Sequence, residues 1–177
     1  MKIEDAQREV RTVFLGGFVG QLVSGGLWLA SAALGTWSTP RHAILTLCLG
    51  GVLILPLTFL ILRAMGRPVM LGRENPLGQL ARQVAFTLPL NLPVVAGATL
   101  YKLEWFFPAF MIVLGSHYLP FAFLYGMWQF QILGGALAAA GLLLGLYAPH
   151  AFSLGGWVTG GALVLFAFVG RAISSRA

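Results

Sequence analysis

Apolar positions in this chain come in long unbroken runs, with polar residues gathered between them. Six runs stand out, at residues 13–34, 43–65, 79–100, 105–125, 129–147 and 152–172. A bilayer's hydrocarbon core is about 30 Å thick and a helix rises about 1.5 Å per residue, so about 20 apolar residues cross it. Each run meets that length, and none holds an acidic residue in its interior. The pattern predicts an all-α, polytopic membrane protein: one transmembrane domain over residues 1–177, a compact bundle of six helices. The connections at 35–42, 66–78, 101–104, 126–128 and 148–151 are short, which makes successive helices antiparallel neighbours. Residues 1–12 alternate charged and apolar positions in a helical manner and read as a lead-in lying on the headgroups.

Composition sharpens this picture. Hydrophobic residues make up 58% of the 177-residue chain and charged residues 9%, against about 25% charged in soluble domains. The net charge of +6 is distributed by side. Lys2, Arg8, Arg11, Arg63, Arg67, Arg73, Arg82, Arg171 and Arg176 fall on one side of the expected topology, and Arg41 and Lys102 on the other. By the positive-inside rule both termini are expected in the cytoplasm. Topology and contact with anionic membrane lipids account for the basic residues, so no nucleic-acid partner is expected. The lone Cys48 excludes an intrachain disulfide and reads as a small packing residue. Trp37, Tyr101, Trp105 and Tyr147 near one set of span ends, with Tyr125 and Trp128 near the other, read as aromatic belts.

Internal likenesses point to three tandem hairpins. The segment from Leu34 to Pro40 resembles that from Leu144 to Pro149, and each is followed by a glycine pair, Gly50-Gly51 and Gly160-Gly161. Small-residue pairs four apart, Gly16 with Gly20, Gly141 with Gly145 and Gly156 with Gly160, allow close helix contact. They serve either packing within the bundle or a homo-oligomer.

Polar groups at bilayer mid-depth are the candidates for function, since bulk water does not reach them. Counting to the centre of each span gives Gln21 and Ser24 in the first, Asn91 in the third, Ser116, His117 and Tyr118 in the fourth, and Thr159 in the sixth. Pro89 and Pro93 in the third span, Pro120 in the fourth and Pro56 in the second free backbone carbonyls at similar depth. Two readings follow. Gln21, Ser24, Asn91, Ser116, His117 and Tyr118 line a ligand site, or they only satisfy freed carbonyls. His117 is the strongest candidate, because a neutral imidazole both donates and accepts. No carboxylate lies deep in a span, which argues against proton- or sodium-coupled transport. No catalytic or metal-ligating constellation is visible, and no cofactor is expected.

Several segments carry a family resemblance. They are Asp5 to Arg11, Leu15-Gly16-Gly17, Gly20 to Gly25, Trp28 to Ala32, His117 to Phe121 and Tyr125 to Gln129. Together they resemble a family of small bacterial membrane proteins known only as a domain of unknown function. The resemblance implies a bacterial inner (cytoplasmic) membrane location and brings no activity or site residues. The proline-bearing hairpins are more loosely similar to three-hairpin acid-resistance membrane proteins. The leading expectation is binding or permeation of a small neutral or amphipathic molecule, such as a lipid, at the mid-depth polar groups. The alternatives are a structural or stress-response protein acting through helix packing and oligomerisation, and a small lipid-modifying enzyme.

Overall fold

The structure, a computed structural model, describes residues 1–148 and 150–175. Pro149, which closes the second copy of the repeat, and Arg176 of the basic set lie outside the described residues. The chain is 85% helical, without strands among the described residues. Among these residues seven α-helices follow one another: α1 (Ile3–Phe14), α2 (Phe18–Trp37), α3 (Pro40–Ala64), α4 (Leu77–Tyr101), α5 (Phe106–Tyr125), α6 (Gln129–Tyr147) and α7 (Leu154–Ser174). The last six are long and apolar enough to cross a membrane, and the protein is an integral, multi-pass membrane protein.

The first span begins five residues later than the hydrophobic run does. Leu15, Gly16 and Gly17 all adopt positive φ, at 53°, 66° and 85°, so the right-handed helix cannot continue through them. Glycine takes this conformation freely, whereas Leu15 bears about 1–2 kcal/mol of strain. Burial of Leu15 beside Val19 and Leu62 offsets that strain. The break lets α1 turn away from α2 and remain amphipathic, with Ala6, Val10 and Val13 buried and Lys2, Asp5 and Arg8 exposed.

Side chains of α1 hold it against the face that carries both chain ends, called here the terminal face. Gln7 Nε2 donates to the Phe123 carbonyl at 2.6 Å, and Arg11 donates to the Tyr125 carbonyl at 2.6 Å. Both carbonyls belong to the last turn of α5, and that of Phe123 also accepts from the Gly126 backbone N–H at 3.2 Å. That helix stops at Gly126, in a left-handed conformation. Glu9 accepts from the Gly72 backbone N–H at 2.6 Å and from Asn75 Nδ2 at 2.9 Å. Asn75 in turn accepts from the Leu77 N–H at 2.9 Å, capping α4. One short helix thus ties the connection between α3 and α4 to the turn between α5 and α6.

The expected hairpins are present only in part. α3 packs on α2, and α4 packs on α5, as sequential pairs. The last two helices do not chiefly pair with each other: α6 lies along α5, and α7 along α2, its partner across most of the sequence. The inner layer is therefore α2, α5, α6 and α7, with α5 the most enclosed helix and α3 and α4 flanking it on the outside. Trp28 of α2 lies against Phe107 and Phe110 of α5, with ring centroids 5.8 and 5.2 Å apart, and is 2% exposed.

Glycine sets how closely these helices approach. The small-residue motifs face neighbours within the chain: Gly16 meets Gly170, Gly141 meets Pro108 and Met111, and Gly156 meets Ala32 and Phe107. Lipid gives helices no hydrophobic drive to associate, so backbone contact supplies the packing energy instead. The belt residues Trp37, Tyr101, Tyr147 and Trp128 stand exposed. Tyr125 does not join them. It is buried and packs on Phe130 at 4.9 Å, because the α5–α6 turn folds its ring inward.

Candidate functional site

The six sequence-derived candidates divide between two places and do not share a depth. Asn91, Ser116, His117 and Tyr118 lie near the middles of α4 and α5, whereas the break at residues 15–17 starts α2 at Phe18 and leaves Gln21 in its first turn. Asn91, Ser116 and His117 belong to the seam where α4 meets α5. Gln21 sits elsewhere, buried where α2, α6 and α7 converge near the terminal face, and Ser24 is buried one turn beyond it. A methyl group placed on Gly170 would lie 3.5 Å from Gln129 Nε2 and 3.7 Å from Gln21 Oε1, so these two amides border one another. An aromatic cluster lies between the two places. Phe130 stacks on Tyr118 at 6.1 Å, and Tyr118 meets the His117 ring edge-on at 5.9 Å. Tyr118 is thus part of the packing, not of either polar group.

The α4–α5 seam centres on Thr87, which sequence reasoning notes only within its proline motif. Thr87 Oγ1 lies 2.8 Å from His117 Nδ1 and donates its proton to the Val84 carbonyl at 2.7 Å. A hydroxyl has one proton to give. With that proton on Val84, the oxygen accepts from the imidazole in the tautomer that carries hydrogen on Nδ1; with it turned to the ring, Nδ1 is the acceptor. In the first case Nε2 of the neutral ring is a bare acceptor. Asn91 Nδ2 donates to the Thr87 carbonyl at 2.7 Å, which leaves Oδ1 as a second acceptor. Ser116 is exposed to lipid and donates to the Val113 carbonyl at 2.7 Å. Thr87, Asn91 and Ser116 thus bond back to carbonyls one turn earlier on their own helices. Those of Val84, Thr87 and Val113 are not the ones, four residues before a proline, that the prolines free. His117 and Asn91 are partly buried, so neither is fully enclosed by the bundle.

The second place holds side-chain atoms with no partner. Gln21 Oε1 and both polar atoms of Gln129 are buried without a hydrogen bond; away from them, so are the Thr159 hydroxyl of α7 and Trp105 Nε1. Sequence reasoning misses Gln129 because it opens α6 and so lies at a span end rather than at its centre. Two surface crevices lie at the ends of the bundle. One, of about 370 Å³, is lined by Thr39, Pro40, Arg41, Ile44, Leu45 and Leu103. The other, of about 360 Å³, runs along Gln7, Phe123, Gly126, Trp128 and Gln131. Neither includes Asn91 or His117. Among the described residues no three His, Cys, Asp or Glu side chains gather to hold a metal.

The fold thus defines a six-span helical membrane protein, with a polar seam between α4 and α5. The profile of the family of unknown function DUF7010 matches residues 3–171, and the chain belongs to that family. No curated protein and no solved structure matches it.

Proposed function

We propose that this protein binds a hydroxyl-bearing amphipathic molecule that enters sideways from the bilayer into the α4–α5 seam. The observation that supports this is the orientation of His117: Thr87 engages Nδ1, and in the tautomer protonated there Nε2 is left as an acceptor on a partly buried ring near the middle of α5. Asn91 Oδ1 adds a second acceptor beside the same threonine. Two acceptors in lipid match a molecule that brings donors, such as a long-chain alcohol or a diacylglycerol. In hydrocarbon such a donor finds no water to compete for it.

The test uses a photoactivatable diazirine fatty alcohol and its methyl ether, on protein reconstituted in liposomes. The alcohol should label peptides of α4 and α5. The paired change His117→Phe with Asn91→Leu should lower that labelling about five-fold, from the loss of about 1 kcal/mol of hydrogen bonding. Equal labelling by the ether, or labelling untouched by the paired change, would overturn the proposal and leave the seam a helix-pairing device.

The terminal face is assigned to the cytoplasm of a bacterial inner membrane, on the asymmetry of basic residues. On that face Arg63, Arg73, Arg82 and Arg171 stand exposed. A reporter fused after Ala177 should read cytoplasmic, and a periplasmic signal would reverse the assignment.

A further inference from the structure

We propose that the crevice at the face opposite the chain ends is a specific binding site for one glycerophospholipid. It opens between the start of α3 and the 3₁₀ turn that leads into α5, because α3 is held to the bundle through α2 and makes no close packing with α4. The lining is almost wholly apolar: Pro40, Ile44 and Leu45 on one wall and Leu103 on the other. Such a crevice inside a bilayer takes an acyl chain, since lipid is the surrounding solvent. Charge at its mouth selects the headgroup. Arg41 lines the crevice, and Lys102 adjoins Leu103. Neither takes part in an ion pair among the described residues. Glu104 stands in the same turn without pairing to either of them.

A guanidinium at an interface is suited to the two-pronged recognition of phosphate. The exposed rings of Trp37 and Tyr101 mark this end as headgroup level, where a phosphate would lie. The site is independent of the α4–α5 seam, so either can fail without the other.

Native mass spectrometry of the purified chain, titrated with phosphatidylglycerol and with diacylglycerol of the same chains, tests this. One phosphatidylglycerol should be retained over diacylglycerol. Arg41→Gln should weaken that retention about five-fold, the effect expected for one basic residue near a phosphate. The exposed Arg63→Gln on the other face should leave it unchanged. Leu103→Trp fills the crevice and should also lower retention in protein that remains monodisperse and helical. Equal retention of the two lipids, or an Arg41→Gln effect no larger than that of Arg63→Gln, would overturn the proposal. A phosphatidylglycerol diazirine placed on the acyl chain should mark residues 39–45 or 103, and labelling confined to other segments would do the same.

Discussion

Gly115→Leu is expected to leave no folded protein, and Gly115→Ala to cost about 1–3 kcal/mol through overpacking. A Cβ at this position would lie 2.5 Å from the Gly134 carbonyl oxygen and 2.9 Å from the Ala138 nitrogen. Both are backbone atoms of α6, so no side chain can swing aside. The approach is reciprocal, since a Cβ on Gly134 would meet the Gly115 carbonyl at 2.7 Å. Any side chain there pushes apart α5 and α6, the closest helix pair in the bundle. Two controls keep the result specific. A methyl group on Gly26 or Gly161 would meet nothing within 4 Å, so Gly26→Ala and Gly161→Ala should stay within about 1 kcal/mol of the parent. Stability is read from SDS titration in dodecylmaltoside micelles, following helicity. A Gly115→Ala protein as stable as the Gly26→Ala protein would show that α5 and α6 are not packed backbone to backbone.

Trp28→Ala should cost about 3 kcal/mol in the same titration, and Trp28→Phe about half as much. Trp28 is 2% exposed and meets Phe110 edge-on and Phe107 at a tilt. In lipid an unpacked helix keeps its apolar surroundings, so the loss is contact and cavity energy rather than transfer from water. The removed indole leaves a void between α2 and α5 that neighbouring rings are too rigid to fill. A loss below about 1 kcal/mol would mean that α2 and α5 are held by other contacts.

The spans are legible in the sequence because bilayer thickness imposes one length on every helix that crosses it. The break after Phe14 is not. Gly16 reads as half of a packing pair with Gly20, and it does pack on Gly170. Yet Gly16 and Gly17 also carry positive φ, and composition alone does not separate those two uses of glycine. The candidate site is half legible for a related reason. Counting residues places Asn91 and His117 near the middles of α4 and α5 but does not give the direction each faces, and it misplaces Gln21, which the break at residues 15–17 leaves in the first turn of α2. Azimuth depends on which helices pair, and the pairing of α6 with α5 and of α7 with α2 is a tertiary outcome. Thr87 is hidden behind the prolines beside it. Gln129 escapes notice because a depth rule weights span centres, whereas this amide is buried by the fold at a span end.

The pairing of α2 with α7 has a bearing on how the chain is made. In the order of synthesis, four spans separate the surface of α2 that receives Gly160 from its partner. Until α7 leaves the ribosome, that surface rests against acyl chains. Closure of this pair therefore waits on α7, and a nascent chain halted before it stays an open half-structure, exposed to quality-control proteases of its membrane.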